Sequence, residues 1–157
     1  MKIKLLVIGK TDDKNLGQLI EKYQQRLNHY VNFEIEIIPD IKNVKNLNQL
    51  QQKEKEGELI LSKLKNTDQL VLLDEKGKEF RSLDFASYLQ KKMNSGIKQL
   101  VLVIGGPYGF SESVYKKSTG KVSLSKMTFS HQMIRLFIVE QLYRGFTILK
   151  NEPYHHE

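Results

Sequence analysis

The chain has 157 residues, with 25 Lys and Arg against 18 Asp and Glu, which gives a formal net charge of +7. This length fits one domain over residues 1–157, and 39% hydrophobic with 27% charged residues is an ordinary soluble composition. The absence of cysteine excludes a disulfide framework, a thiolate metal site and a thiol nucleophile, and it is compatible with the cytoplasm.

The charge and the apolar segments indicate which partners to expect. The apolar N-terminus is too short for a signal peptide, and the apolar segment 133–149 contains Arg135, Glu140 and Arg144, so we expect no membrane span. The basic excess favours a polyanionic partner through phosphate contacts, although it is equally compatible with plain solubility because the basic residues form no tract.

Short apolar runs alternate along the chain with segments of helical period. The runs predict five strands at 3–8, 33–38, 70–73, 100–104 and 121–124. Strands that alternate with helices predict an α/β fold with a mainly parallel sheet flanked by helices. The run 100–104 is apolar throughout, as expected for a strand that is buried on both faces.

Three apolar stripes predict helices between these strands. The first stripe contains Leu16, Leu19, Ile20, Tyr23 and Leu27; the second contains Leu47, Leu50, Leu59, Ile60 and Leu64; the third contains Leu83, Phe85, Ala86 and Leu89. Ser82 is a candidate N-cap for the third helix.

The last predicted helix differs from the others because its apolar residues surround the helix axis. Eleven of the 21 residues from Ser130 to Lys150 are apolar, and a helix that is apolar on every side is buried on every side. A small domain covers only one face of a terminal helix, so a second copy of the chain in a two-fold homodimer is one solution. A central core helix within one subunit is the alternative.

Three predicted strand ends carry candidate ligand-binding segments, because ligands of α/β sheets bind beyond the carboxyl ends of the strands. These segments are 72–78, 104–110 and 124–129. Gly105 and Gly106 allow a ligand to approach the backbone closely, although a tight turn without a ligand also explains them. The pattern is neither a Walker A loop nor G-x-G-x-x-G, and the turn after the first strand contains only Gly9, so the Rossmann interpretation is weak.

The third segment combines hydroxyl groups with apolar side chains. Ser123, Ser125 and Thr128 lie beside Leu124, Met127 and Phe129. This mixture suits adenosine with a methionine tail, because an apolar slot holds the purine and main-chain groups bind its edge. A strand end leading to Ser130 as an N-cap is equally consistent with it.

No nucleophile with a base at recognisable spacing is present, and we expect no metal site. The adjacent His155 and His156 lack companion ligands. His131 opens the last helix and has a structural alternative as a first-turn residue. The tail 151–157 offers polar and aromatic groups that can meet RNA, and a frayed terminus is the alternative.

Taken together, these segments resemble one family, the RlmH family of bacterial 23S rRNA (pseudouridine-N3) methyltransferases of the SPOUT class. The resemblance covers essentially the whole chain. It rests on Met1-Lys2-Ile3 with Gly9, Lys55-Glu56-Gly57-Glu58, Leu73-Asp74, Gly77-Lys78, the run Leu102 to Gly109, the run Leu124 to His131, Arg135, Glu140-Gln141-Leu142-Tyr143-Arg144 and Pro153-Tyr154-His155.

The resemblance implies a SPOUT-type methyltransferase fold with five or six strands, a C-terminal trefoil knot and an obligate homodimer whose site lies near the interface. It also implies that S-adenosylmethionine (SAM) is bound by the backbone of eight residues. These are Leu73, Gly105, Leu124, Ser125, Lys126, Met127, Thr128 and Phe129.

The implied reaction transfers the methyl group of SAM to N3 of a pseudouridine in 23S rRNA, on the assembled ribosome. We expect His131 to act on the N3 proton. Arg135 and Arg144 are expected to hold phosphate or to stabilise the uracil anion, with an intersubunit salt bridge as the alternative. Tyr154 and His155 are expected to meet the RNA from the partner subunit. A non-enzymatic RNA-binding or ribosome-assembly module, and a SPOUT methyltransferase for transfer RNA, are the rival functions.

Overall fold

The computed structural model describes residues 1–157 and contains five strands and five α-helices. The strands are β1 (Lys2–Ile8), β2 (Asn32–Ile38), β3 (Asp68–Glu79), β4 (Gln99–Ile104) and β5 (Gly120–Ser123). The helices are α1 (Lys14–Leu27), α2 (Gln49–Ser62), α3 (Ser82–Asn94), α4 (Glu112–Lys117) and α5 (His131–Leu149), and a single 3₁₀ turn covers Val44–Asn46. None of the helices combines the length and apolar composition needed to cross a membrane.

The five strands form one sheet in the order β2-β1-β4-β3-β5, and every neighbouring pair is parallel. The predicted α/β architecture is therefore confirmed. Because the strands are parallel, all five carboxyl ends meet at one edge of the sheet, where the three candidate segments begin. The central strand β4 is buried over Leu100–Ile104, as its continuous apolar run predicts.

The two faces of the sheet form two apolar cores. Leu5 faces the core that α1, α3 and α5 cover, and Leu6 faces the smaller core beneath α2 and α4. This alternation follows from the two-residue repeat of a strand. Helix α5 packs against both α1 and α3, so it lies in the middle of its layer.

Helix α5 is only partly buried within one chain. Ile138, Val139 and Leu142 are fully buried against the sheet, whereas Met133 is 38% exposed and Phe137 is partly exposed. The apolar surface predicted on all sides of this helix is thus covered by the chain's own core on one side only.

Two local predictions need correction, and one helix was missed. Strand β3 continues to Glu79 instead of ending at Leu73, because Lys78 pairs with Val122 of β5 after an irregular step in the register. Gly77 permits this pairing, since a Cβ there would lie 2.7 Å from the backbone of β5. The N-cap of α3 is Arg81, with no side-chain hydrogen bond, and Ser82 is instead the first helical residue, whose hydroxyl donates to Gln141. Helix α4 was not predicted.

Candidate functional site

A cleft of about 460 Å³ lies at the carboxyl edge of β3, β4 and β5. Its walls come from residues 73–76, 104–110, 122–125 and 127–129, together with Tyr115, His131 and Ile134. The structure therefore brings the three segments predicted from the sequence together around one space. Of the eight predicted cofactor-binding residues, the cleft is lined by Leu73, Gly105, Leu124, Ser125, Met127, Thr128 and Phe129.

Lys126 does not line this cleft. Its ammonium group lies 4.0 Å from a carboxylate oxygen of Glu79, and its side chain is 84% exposed. The predicted role of Lys126, which involves its main chain only, stays a prediction.

The turn after β4 brings bare backbone to the floor of the cleft. Gly109 has a φ of +80°, which favours glycine, and its amide donates a 3.1 Å hydrogen bond to the carbonyl of Gly106. A Cβ on Gly105 would lie 3.1 Å from the ring of Phe110, which is itself only 5% exposed. A side chain at position 105 would therefore press on Phe110, which itself lines the cleft.

Two serine hydroxyls hold the third segment in shape. Ser123 donates a 2.9 Å hydrogen bond to the carbonyl of Ser125, and the Ser125 hydroxyl accepts one of 2.9 Å from the amide of Met127. These bonds fix the backbone of the loop without a regular element. Leu124 and Phe129 supply apolar surface beside it.

Tyr115 and Asp74 close the opposite rim of the cleft. The Tyr115 hydroxyl donates a 2.6 Å hydrogen bond to Oδ2 of Asp74. Burial, followed by this bond, raises the pKa of Tyr115 to about 12, so the phenol is neutral at physiological pH. The sequence alone gave no reason to pair these residues, because α4 is too short to show a periodic signal.

His131 stands at the mouth of the cleft as the first residue of α5. Its side chain is exposed and lines both the cleft and a neighbouring smaller cavity. Ser130 is the N-cap of α5, as the alternative interpretation of this segment held, since its hydroxyl accepts a 3.1 Å hydrogen bond from the amide of Met133. Ser130 therefore fixes the helix start, and His131 is free to face the cleft.

Arg135 lies one turn further along α5 and is only 3% exposed. It donates hydrogen bonds to the carbonyls of Ile8 and Gly9 at 2.8 and 2.9 Å, and to the Thr11 hydroxyl at 3.2 Å. Burial lowers the pKa of this guanidinium, and its Nε atom has no hydrogen-bond partner. In this chain Arg135 ties the end of β1 to α5, and a catalytic role for it stays a prediction.

The three predicted RNA-binding residues form a separate cluster. The Arg144 guanidinium lies 4.8 Å from the ring centroid of Tyr154 and hydrogen-bonds His155 Nδ1 at 3.2 Å. The Tyr154 hydroxyl donates a 2.9 Å bond to Glu140, which also accepts from Arg144. The tail thus folds back on α5. Because α5 rises 1.5 Å per residue, this cluster lies about 20 Å along the helix from His131.

The sequence also missed the burial of Glu56. Its side chain is 4% exposed, and both carboxylate oxygens are shielded from water. Burial raises the pKa of Glu56, a hydrogen bond from Gln52 opposes this shift, and the charge on Asp40 acts in the same direction as burial. The one available signal was the Glu56-Gly57 pair inside a helix, since Gly57 is buried against Ser111.

Comparison with known proteins places this geometry among related chains. A family model described as "Predicted SPOUT methyltransferase" matches residues 1–155. A Flavobacterium johnsoniae protein named ribosomal RNA large subunit methyltransferase H is 72% identical over 157 residues, covering 100% of both chains. A Christiangramia forsetii protein of the same name is 67% identical over 156 residues, covering 99% of each.

The fold is also found in a solved structure of low sequence identity. A probable methylase family protein from Haemophilus influenzae superposes with a TM-score of 0.55 at 10% identity, covering 95% of this chain and 66% of that one. This similarity supports the arrangement of strands and helices and carries no argument about substrate.

Proposed function

We propose, on the premise that this chain belongs to the SPOUT methyltransferase family, that it methylates N3 of a pseudouridine in 23S ribosomal RNA. The chain is a methyltransferase by family, and the full-length relatives are named for the RNA of the large ribosomal subunit. The observation that carries the proposal is the single cleft that the three predicted segments enclose at the carboxyl edge of the sheet.

The residues of this cleft fit S-adenosylmethionine. A volume of about 460 Å³ lies within the ~300–1,000 Å³ range of small-molecule sites. Leu124 and Phe129 offer apolar surface for a purine, while the Gly105 turn exposes main-chain groups without a side chain in the way. When bound, SAM supplies an electrophilic methyl group on a sulfonium centre.

In the proposed reaction His131 accepts or polarises the proton on N3 of the target base. Its exposed position at the mouth of the cleft suits a group that meets RNA on one side and the cofactor on the other. Holding the base nitrogen in line with the methyl group supplies the larger part of the rate enhancement, since positioning lowers the activation barrier by ~7–11 kcal/mol. Arg135 contributes by fixing the end of β1 beneath α5.

The active unit in this proposal is a homodimer. The outer face of α5 leaves Met133 and Phe137 partly uncovered, and a cavity of about 370 Å³ opens between Phe137, Phe129 and Phe80. A second copy seated on this face buries it and brings the Tyr and His side chains of the partner's tail, with the arginine of α5 on which they fold, toward the cleft. His131 and the cluster around Arg144 lie about 20 Å apart within one chain. In the dimer, His131 of one chain and that cluster of the other chain serve one site.

Two further features of the proposal come from the family. We place the C-terminal segments 104–110 and 122–129 in a trefoil knot, and the reaction in the cytoplasm on the assembled ribosome. The net charge of +7, doubled in a dimer, favours the approach to a ribosomal RNA surface.

The proposal is tested with ribosomes and methyl-labelled SAM. Ribosomes from a strain without this activity should gain one methyl group on a 23S pseudouridine, located by mass spectrometry of RNA fragments. Methylation of transfer RNA, without methylation of the ribosomes, would make transfer RNA the substrate. RNA binding without methyl transfer to any RNA would support a binding module instead.

A further inference from the structure

Tyr108 differs from the other tyrosines of the chain because its ring has no aromatic partner within the molecule. The chain has 7 tyrosines, and all of them except Tyr108 pack against another aromatic ring. The Tyr108 hydroxyl also makes no hydrogen bond to the chain, and the residue is 43% exposed. The ring is therefore available to a molecule from outside the chain.

The turn that carries Tyr108 is held on both sides. Pro107 and Tyr108 occupy its two central positions, and the Gly109 amide closes it with a 3.1 Å hydrogen bond to the Gly106 carbonyl. The proline ring restricts φ at the first central position, and Phe110, which is 5% exposed, anchors the chain directly after the turn. Because the backbone is already ordered, little conformational entropy is lost when the Tyr108 ring meets a ligand.

This turn borders both the cofactor cleft and His131. Tyr108 and His131 line the same cleft of about 460 Å³. The backbone of residues 105–107 adjoins His131 a second time, in a smaller cavity of about 140 Å³ behind the turn. Tyr108 therefore flanks the space between the proposed methyl donor and the residue that is proposed to act on the N3 proton.

A base that is methylated on a ring nitrogen has to leave its stack before this nitrogen can reach the cofactor. The unstacked base then needs another flat apolar surface, which aromatic side chains supply in proteins that bind single-stranded RNA. A uracil ring whose N3 points to His131 lies in the same cleft as the ring of Tyr108. The two rings are thus brought together by the geometry of the proposed reaction.

We propose that the ring of Tyr108 stacks on the target base and holds it out of the RNA while the methyl group is transferred. This inference rests on the proposed function, because it assumes that a pyrimidine base accepts the methyl group. Tyr108 becomes in this way a substrate-binding residue that acts through its ring and not through its hydroxyl group.

The chemistry and the place of Tyr108 favour a base over other contacts. A tyrosine side chain carries no positive charge, so it is poorly suited to RNA phosphates, which arginine and lysine bind. Tyr108 also does not line the apolar groove between Phe80, Phe129 and Phe137, so it lies apart from the face that the proposed dimer buries. A planar base with an exposed π face is the part of RNA that this side chain fits.

Four substitutions at position 108 separate stacking from other roles of the side chain. Tyr108→Phe and Tyr108→Trp keep an aromatic face, whereas Tyr108→Leu keeps apolar bulk without one and Tyr108→Ala removes both. The single-turnover rate of methyl transfer at saturating ribosomes should fall about 10-fold or more in the Leu and Ala variants, the contribution of one stacked base. The Phe and Trp variants should keep most of the rate.

The half-saturating ribosome concentration and the SAM affinity are two further readouts. Because stacking acts after the ribosome has docked, the half-saturating concentration should change by less than about threefold in all four variants. Calorimetry should give SAM affinities within about twofold of the unsubstituted protein, which also shows that the variants are folded. Ile37→Ala is the matched control, since Ile37 is likewise 43% exposed and lies on the edge strand β2, outside the cleft.

Several results would overturn the inference and leave the proposed function standing. A full rate in Tyr108→Leu or Tyr108→Ala would show that methyl transfer needs no aromatic face at this position. A higher half-saturating concentration with an unchanged maximal rate would place Tyr108 on RNA outside the target base, and a loss of SAM affinity would place it on the cofactor. No methyl transfer to ribosomes by the unsubstituted protein would instead refute the proposed function itself.

Discussion

The Tyr115 hydroxyl donates a 2.6 Å hydrogen bond to Asp74, which joins helix α4 to strand β3 at the rim of the cleft. Tyr115→Phe removes this bond, so the Asp74 carboxylate is no longer held against α4. We expect SAM affinity to fall about 3- to 10-fold, the value of a lost hydrogen bond of ~1 kcal/mol, when measured by calorimetry. Tyr88→Phe is the control, because Tyr88 packs on Phe80 and Phe85 away from the cleft. Equal affinities for both variants would show that the rim does not act on the cofactor.

The same two tyrosines predict a loss of stability at alkaline pH. Burial raises the pKa of Tyr88 and Tyr115 from 10.0 to about 12 in the folded chain. Because the folded state holds these protons more tightly than the unfolded state, their contribution is complete below pH 10 and is lost as the pH rises to about 12. Urea unfolding at a series of pH values should show this decline, and the Tyr88→Phe, Tyr115→Phe double variant should show a shallower one. Identical slopes for the two proteins would contradict the assignment.

A side chain at position 105 should exclude the cofactor. Gly105→Val would bring a Cβ to 3.1 Å from the ring of Phe110, which lines the cleft, so the ring or the turn must shift and reshape the space. We expect SAM binding to be lost while the dimer persists, as measured by calorimetry and analytical ultracentrifugation. Gly120→Val is the matched control, since a Cβ there meets nothing within 4 Å. Undiminished SAM affinity in Gly105→Val would move the cofactor elsewhere.

His131→Ala should separate chemistry from binding. The side chain faces the mouth of the cleft and contributes no hydrogen bond to the fold, so we expect methyl transfer to slow by about 100-fold or more with SAM affinity little changed. Single-turnover assays on ribosomes measure the first quantity and calorimetry the second. His29→Ala, an exposed histidine just beyond the end of α1, should behave as the unsubstituted protein. Full turnover by His131→Ala would show that this residue has no catalytic role and only begins helix α5.

The outer face of α5 is expected to hold the dimer together. Phe137→Glu introduces a charge into the apolar groove beside Phe129 and Phe80, and sedimentation should then report a monomer that transfers no methyl group. Leu50→Glu is the control, because Leu50 is 57% exposed on α2. A Phe137→Glu protein that remains dimeric would place the interface on another surface.

The sequence predicted those features that depend on local pattern. The apolar run of β4 and the helices α1 and α3 each follow from a few neighbouring residues, and the structure confirms them. The three segments at one edge were predictable because parallel strands align their carboxyl ends.

Features that depend on distant partners were not predictable. Strand β3 extends to Glu79 only because β5 pairs with it. The residues after Leu73 are polar, so the sequence by itself predicts a turn there. The Tyr115–Asp74 bond joins residues that are 41 positions apart. A glutamate on a polar helix is expected to face water, and the burial of Glu56 results from the close approach of the turn at Gly106. Contacts of this kind leave no periodic pattern in the sequence.

The measurement that tests the central claim most directly is a crystal structure of the protein with SAM. We predict electron density for the adenosyl group between the Gly105 turn and the loop from Leu124 to Phe129, with the methyl group toward His131. Density for SAM at any other surface of the chain, with this cleft empty, would contradict the account.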